Sequence, residues 1–246
     1  MTDNSLKNFY ARGDSFLKRE FHTYAAETNM SPEDIKNLNG KKILLVGGGA
    51  SPIKKNLSDI GLNCFVTNID LFYSEKDPDN ADVLITDDFL NRHIVDEFDE
   101  IWVVYSLPMH SKTEYEWEMF WTRAILALKP GGHLRVTGRL EPKHAKFFQK
   151  FNEKFPNTIL RLDQIPFVWK LEDAKITNKI NTDEFIKNLQ DAKAAEALSH
   201  TKYTKKINYL HFAAPADKSE MDNWLMQNLQ KLNMPMITRN MKKVIE

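Results

Sequence analysis

The sequence has few of the residues that mark several large protein classes. Its 246 residues include a single cysteine, Cys64, which excludes an internal disulfide framework and any zinc cluster built from cysteines. Nine glycines and ten prolines are too few for a low-complexity or disordered chain. Because 42% of the residues are hydrophobic, we expect a globular protein with a sizeable core.

An excess of charge and a long apolar run are also missing. Lys and Arg together number 34, as do Asp and Glu, so the formal net charge is zero. Excess positive charge is what binds backbone phosphates and acidic membrane surfaces, so we expect neither nucleic acid nor a membrane as the main partner. The first residues are polar, and no stretch approaches the ~20 apolar residues of a spanning helix. We expect a cytoplasmic protein, although a secreted protein with an uncleaved signal would share these features.

Apolar runs of strand length alternate with helical patterns from residue 41 onward. The runs occupy residues 41–46, 63–70, 82–86, 100–105, 133–137, 158–162, 167–171 and 207–212. The helical patterns occupy residues 51–60, 90–98, 111–128, 143–155 and 221–232. This alternation predicts an α/β fold with a doubly wound, mostly parallel sheet. Ser51 is the expected N-cap of the first of these helices, and Ser111 to Glu114 has the spacing of a capping box.

Two segments lie outside this alternation. Residues 1–40 have helical patterns, including a helix start at Ser31 to Asp34, and we interpret them as an N-terminal helical cap on a domain of residues 41–246. Residues 172–206 are charged and contain an Ala-rich helical patch, so we interpret them as an insertion or lid. A reacting site needs a cover that excludes water, and both segments are candidates for that cover. Residues 172–206 could instead form a dimer contact, and the sequence leaves the oligomeric state open.

Glycines cluster where the first strand meets the first helix of the alternation. Gly47, Gly48 and Gly49 follow the first apolar run, at the edge where ligands bind in open α/β sheets. Asp70 ends the second run, where a carboxylate can accept hydrogen bonds from ribose hydroxyls. A dinucleotide fingerprint needs a glycine at the sixth position, which here is Pro52, and the Gly-Lys-Ser/Thr of a phosphate loop is absent. A plain strand-to-helix turn without a ligand is the alternative.

The sequence from about residue 41 to 138 resembles the class I S-adenosylmethionine (SAM)-dependent methyltransferases. The resemblance is carried by Gly47-Gly48-Gly49-Ala50-Ser51, Asp70, Thr86-Asp87-Asp88, Phe98-Asp99-Glu100-Ile101-Trp102-Val103-Val104 and Leu128-Lys129-Pro130-Gly131-Gly132-His133-Leu134. In order, they match the first glycine motif, the acidic ends of strands two and three, the FD start of strand four and the LKPGG-x-L turn before strand five. The resemblance implies a seven-stranded Rossmann-like sheet, SAM as the cofactor and transfer of a methyl group.

The resemblance also implies which residues form the site. For the cofactor, it implies contacts from Gly47, Gly48, Gly49, Ser51, Asp70, Asp87, Asp88, Phe89 and Ser106. One carboxylate of the Asp pair can contact adenine while the other caps the next segment. Acceptor chemistry in the family follows strand four, where Tyr105 and His110 are the available polar groups; His110 is the candidate base, or else an ordinary loop residue.

The sequence also bears on the class of methyl acceptor and on whether the protein binds a metal ion. Residues 105–110 do not match the Asn/Asp-Pro-Pro-aromatic signature of the amino-group methyltransferases of nucleic acids and proteins, so we expect a small-molecule substrate. The seven histidines have no metal-ligand spacing, and we expect no metal.

Two departures from the family pattern leave alternatives open. Leu45 stands where the family usually has Asp or Glu, two residues before the first glycine, and Ser51 replaces a later glycine of the loop. The first rival is therefore a binding or scaffolding protein that kept the fold and lost catalysis. The second rival is an NAD-linked oxidoreductase, which Pro52 and the turn at residues 128–132 oppose.

Overall fold

The computed structural model describes residues 18–73, 77–107, 111, 113–138, 145–158, 160–166, 176, 178–199 and 206–245. Two short helices open this part of the chain, α1 (Phe21–Glu27) and α2 (Pro32–Lys36). The predicted helix start at Ser31 is confirmed: its hydroxyl accepts a hydrogen bond from Asp34 N–H at 3.1 Å, and the Asp34 carboxylate accepts one from Ser31 N–H at 2.8 Å. This reciprocal cap satisfies donors that a helix start otherwise leaves unpaired.

Seven strands of the described residues form one sheet. They are β1 (Lys42–Val46), β2 (Phe65–Asp70), β3 (Val83–Thr86), β4 (Phe98–Val104), β5 (Leu128–Gly138), β6 (Asp163–Pro166) and β7 (Lys206–Ala213). Their order is β3-β2-β1-β4-β5-β7-β6. The first five strands are parallel, whereas β7 runs antiparallel to both β5 and β6. This order with β7 reversed is the layout of the class I methyltransferases, so the expected fold class is confirmed.

Helices cover both faces of the sheet. The described part of the chain adds α3 (Ile53–Asp59), α4 (Glu114–Ala127), α5 (Ala145–Lys154), α6 (Thr182–Ser199) and α7 (Ser219–Ile245). Helices α4, α5 and α7 pack on one face, and α1, α2, α3 and α6 pack on the other. Among the described helices, none combines the length and apolar character that a membrane span requires.

The helices of the two segments outside the alternation share one core. The ring of Phe21 in α1 lies 5.7 Å from Trp102 in β4 and 5.3 Å from Phe185 in α6, measured between ring centroids. The Thr182 hydroxyl at the start of α6 donates to Ile60 C=O at 2.9 Å. Helices α1 and α6 are therefore packed on the sheet itself. That residues 1–40 and 172–206 also cover the site stays a prediction.

One predicted helix, at residues 90–98, is wrong. The structure has a single 3-10 turn there, Phe89–Asn91, and β4 begins at Phe98. The N–H groups of Asp96 and Glu97 donate to carbonyls in the last turn of α4 at 2.9 and 3.0 Å. Because these donors bond to another element, they do not continue a helix of their own.

The predicted strand at residues 158–162 is also wrong in position, since β6 begins at Asp163. The side chain of Asn152 in α5 donates to Leu160 C=O and accepts from Leu160 N–H, both at 2.8 Å. These bonds use the two backbone groups that a strand would pair. The apolar run at residues 167–171 lies outside the described residues.

Two predicted helix caps differ from the observed ones. Ser51 is not the N-cap of α3, because Pro52 holds that position and the Ser51 hydroxyl accepts from Arg19 N–H at 3.0 Å. The capping box of α4 lies two residues later than predicted and is formed by Thr113 and Glu116. In the first case a distant backbone donor competes for the hydroxyl that would have capped the helix.

Candidate functional site

The turn after β1 brings two predicted cofactor residues into contact. Gly47 has a φ of +68°, and its N–H donates to Ile69 C=O in β2 at 2.7 Å. A Cβ at this position would stand 1.8 Å from Ser106 Oγ. Glycine is needed here both for the backbone angle and for the close approach of Ser106. Since Ser106 follows β4, the contact joins the ends of β1 and β4.

Two asparagines that sequence reasoning missed hold the rest of this turn. Asn68 Oδ1 accepts from Gly48 N–H at 3.2 Å, and a Cβ at Gly48 would stand 2.8 Å from that oxygen. The Gly49 carbonyl accepts from the side-chain amides of Asn68 and Asn80, both at 2.9 Å, and Asn80 also donates to Ser51 C=O at 2.7 Å. Both asparagines are buried. Neither belongs to a recognisable motif, so only the fold shows that they meet at the turn.

Asp70 ends β2 and is held by three backbone N–H groups. Its Oδ2 accepts from Gly49 at 2.9 Å, and its Oδ1 accepts from Phe72 at 2.8 Å and Tyr73 at 2.9 Å. A carboxylate offers about four acceptor positions, so the bonds from the described residues leave one position, on Oδ2. The side chain is only 8% exposed. The residues fit one ribose hydroxyl of an adenosyl group, and a second would require the Phe72 and Tyr73 turn to move.

The residues after β3 have separate roles. Asp88 caps the 3-10 turn, because its Oδ1 accepts from Leu90 N–H at 2.9 Å. Asp87 pairs with Arg92 Nε at 2.7 Å and remains partly exposed. Phe89 is 2% exposed and packs in the core against a ring of α4. The cap is therefore Asp88, and a contact of Asp87 with adenine stays a prediction.

Tyr105 follows β4 in a backbone conformation that is rare for residues other than glycine. Its φ is +52°, and its N–H donates to Thr137 C=O in β5 at 3.1 Å. Such strain is concentrated at functional sites. The Arg19 guanidinium lies over the Tyr105 ring, 5.2 Å from its centroid, while Arg19 N–H binds Ser51. The segment before α1 thus connects the first turn to the end of β4. His110, the candidate base, lies outside the described residues.

Helix α1 adds two buried side chains that the sequence did not identify as site residues, Tyr24 and Glu27. Burial raises the pKa of Tyr24. The charge of Arg19 and a hydrogen bond with Ser51 lower this pKa, and the charges of Glu27 and Asp70 raise it. Tyr24 is therefore close enough to both carboxylates for their charges to affect its pKa. Glu27 is 4% exposed, and burial raises its pKa to about 7 against the opposing charge of Arg19. A glutamate on a short helix is usually exposed, so its sequence position gives no signal.

Two further observations concern what the site can hold. Leu45, at the position where the family usually has an acid, is fully buried in the core beneath α1 and α3. Among the described residues, no group of three or more His, Cys, Asp or Glu side chains is placed to bind a metal ion.

Comparison with known proteins gives distant structural similarities. No family model and no curated protein matches the chain. N-methyltransferase NodS from Bradyrhizobium japonicum WM9 is 11% identical with a TM-score of 0.42, and the match covers 75% of this chain and 94% of that one. A geranyl diphosphate methyltransferase, solved with GPP and sinefungin, is 12% identical with a TM-score of 0.40 and 77% of each chain covered.

A putative sarcosine dimethylglycine methyltransferase from Galdieria sulphuraria is 13% identical, with a TM-score of 0.37 and coverage of 84% of this chain and 86% of that one. With TM-scores this low, the assignment of the fold depends on the strand order and not on these similarities.

Proposed function

We propose that this protein is a SAM-dependent methyltransferase that acts on a small-molecule acceptor. The observation that carries the proposal is the hydrogen bond from Gly49 N–H to Asp70 Oδ2 at 2.9 Å, which ties the turn after β1 to the end of β2. In open α/β sheets, ligands bind at this edge. Asp70 ends β2 at this edge, and an acceptor position on its carboxylate suits a ribose hydroxyl.

The chain's own residues would bind the adenosyl part, orient the acceptor and exclude water. When bound, SAM supplies a methyl group that its positively charged sulfur already activates. We assign the ribose to Asp70 and adenine to Asp87. The turn of Gly47, Gly48 and Gly49 would border the rest of the cofactor.

The acceptor side is assigned to the end of β4. The backbone N–H of Tyr105 is bonded to β5, and the Arg19 guanidinium lies over its ring. Ser106 lies close to Gly47 in the turn after β1, and Ser51 in the same turn accepts a hydrogen bond from Arg19 N–H. His110 remains the candidate base on the grounds of its position in the sequence.

Calorimetric titration of the full chain with SAM, S-adenosylhomocysteine and NAD tests the proposal. We expect micromolar binding of both adenosyl ligands, and formation of S-adenosylhomocysteine when SAM is offered with a panel of small-molecule acceptors. Mass spectrometry of the denatured protein would show whether an adenosyl ligand copurifies. Binding of NAD alone would overturn the assignment.

A protein that binds an adenosyl ligand without catalysis is the second candidate. It is favoured by the burial of Leu45 in the core and by the three backbone bonds that already occupy Asp70. This candidate predicts binding of both adenosyl ligands with no turnover on a broad acceptor panel. Turnover of any acceptor excludes it.

A further inference from the structure

One buried carboxylate near this edge of the sheet has an oxygen without a hydrogen bond. Glu27 is the last residue of α1 and is 4% exposed. Its Oε2 atom is buried and has no hydrogen-bond partner among the residues that the structure describes. Leaving a buried carboxylate oxygen unsatisfied is costly, so an unpaired oxygen of this kind requires an explanation.

Glu27 is connected to the proposed acceptor side of the site through two neighbours, Tyr24 and Arg19. Tyr24, three residues earlier on α1, lies on the same helix face and is in hydrogen-bonding contact with Ser51 after the turn of β1. Arg19 influences Glu27 electrostatically, yet the two form no ion pair among the described contacts. The Arg19 guanidinium instead rests on the ring of Tyr105 at the end of β4. Through Tyr24 and Arg19, Glu27 is therefore connected to polar groups at the ends of β1 and β4.

The chemistry of Glu27 favours a cationic nitrogen as its ligand. An ammonium group would donate a hydrogen bond to Oε2 and also balance the buried negative charge. An alcohol could donate a hydrogen bond to Oε2, but it would add no positive charge to that of Arg19.

We propose that Glu27, rather than His110, binds the nitrogen of a primary or secondary amine acceptor and takes one proton from it before methyl transfer. This inference rests on the proposed function. The protonated amine gives a proton to Oε2, and the lone pair so freed forms the new nitrogen–carbon bond. The methyl carbon's bond to sulfur breaks at the same time, and its electron pair stays on sulfur. The methylated product leaves as an ammonium ion, and Glu27 returns its proton to solvent.

The raised pKa of Glu27 agrees with this role. A carboxyl group with a pKa of about 7 is closer in basicity to an amine than an ordinary glutamate is. Proton transfer from an ammonium ion to Glu27 is therefore less uphill, which is what general base catalysis needs near neutral pH.

Carbon NMR of protein labelled at its glutamate carboxyl carbons tests the binding step without turnover. One resonance should titrate near pH 7, disappear in Glu27→Gln and persist in Glu33→Gln, a control at an exposed position of α2. Benzylamine and ethanolamine are the probes, with benzyl alcohol and ethylene glycol as matched alcohols. A bound ammonium should lower the titration midpoint of Glu27 by about one unit, because an opposite charge favours the ionised form. An ordinary glutamate titration, or a midpoint that neither amine lowers, would overturn the proposal.

The catalytic step is tested by the rate of S-adenosylhomocysteine formation. With an amine acceptor, Glu27→Gln should lower kcat about 100-fold, the scale of general base catalysis, while calorimetric affinity for SAM stays unchanged. Glu27→Asp should recover part of the rate, and Glu33→Gln should match the wild type. Unaltered turnover in Glu27→Gln with normal SAM binding would refute the role of Glu27 alone. Failure of the wild type to bind SAM would instead refute the proposed function, and the NMR titration would still report on Glu27.

Discussion

Asp70 at the end of β2 and Glu27 at the end of α1 are both buried carboxylates, but the protein satisfies them differently. Asp70 accepts three backbone hydrogen bonds, which compensate its loss of contact with water. Glu27 keeps an unpaired oxygen and is favoured in its neutral form. At the scale of single residues, Asp70 therefore contributes to stability, whereas the charge of Glu27 opposes it.

Replacing Glu27 by glutamine should stabilise the protein above pH 7. The pKa of Glu27 is about 7 in the folded state against 4.5 as its ordinary value, so the folded state retains a proton over that window and stability falls as pH rises through it. Relative to Glu27→Gln, the wild type should lose about 3 kcal/mol between pH 4 and pH 8. Urea unfolding at both pH values measures this. A difference between the two proteins that does not change with pH would contradict it.

Substituting Asp70 should affect the fold as well as the ligand. Asp70→Ala leaves three backbone N–H groups without their acceptor, and partial compensation by water should limit the loss to about 2 to 4 kcal/mol. Affinity for an adenosyl ligand should also fall by about 1.5 to 3 kcal/mol, the range for a hydrogen bond to a charged group. Asp70→Asn keeps one carbonyl oxygen and the same shape, so its stability loss should be smaller. Equal unfolding free energies for wild type and Asp70→Ala would show that these bonds contribute nothing.

Gly47 after β1 and Ser106 after β4 lie in close contact, and this contact between two strand ends can be tested by mutation. Gly47→Ala would force a side chain into a positive φ and place its Cβ 1.8 Å from Ser106 Oγ. The backbone angle alone costs about 1 to 2 kcal/mol, and the overlap adds to it. Ser106→Gly should recover the overlap cost but not the backbone cost. A double-mutant cycle by urea unfolding measures the coupling, and simple additivity would contradict the contact.

Elements and caps were predictable where their bonds are local. Ser31 and Asp34 cap α2 through bonds between residues three apart, so the sequence itself contains the cap. Ser51 has the same cap chemistry but binds Arg19, 32 residues away. The backbone groups of Leu160 bond to the side chain of Asn152 in α5 and therefore do not pair with a strand. For Ser51 and Leu160, a tertiary contact replaces the bond that the local sequence pattern predicts. Such a contact cannot be read from the neighbouring residues in the sequence.

The residues of the candidate site also fall into two groups, those whose place follows from the local sequence pattern and those placed by tertiary contacts. The positions of Gly47 and Asp70 at this edge of the sheet could be predicted, because they lie at the ends of apolar runs that form strands. Asn80 and Glu27 could not, because one comes from a loop and the other from a helix docked across the sheet. Phe89 was expected at the cofactor and is a core residue, since the segment after β3 forms one 3-10 turn that directs its ring inward.

At the scale of the whole molecule, chain segments far apart in sequence complete one helical layer. Helix α1 precedes the sheet and α6 lies between β6 and β7, yet both pack beside α3 on the same face. Their shared core is built on Phe21, Trp102 and Phe185. The polar side of α1, with Tyr24 and Glu27, is positioned by this apolar packing. The proposed acceptor side of the site therefore depends on contacts that neither segment makes alone.

This arrangement predicts that α1 and α6 unfold together with the sheet. Phe185→Ala removes a fully buried ring and should lower global stability by about 3 to 5 kcal/mol, with Lys187→Ala on the same helix as a control of small effect. Hydrogen exchange should show the slowest amides of α1, α6 and β4 losing protection by the same amount in Phe185→Ala, because they open in one cooperative event. A cover that opens by itself gives the opposite pattern. In that case α1 and α6 would exchange well before β4 in the wild type, and Phe185→Ala would leave the protection of β4 unchanged.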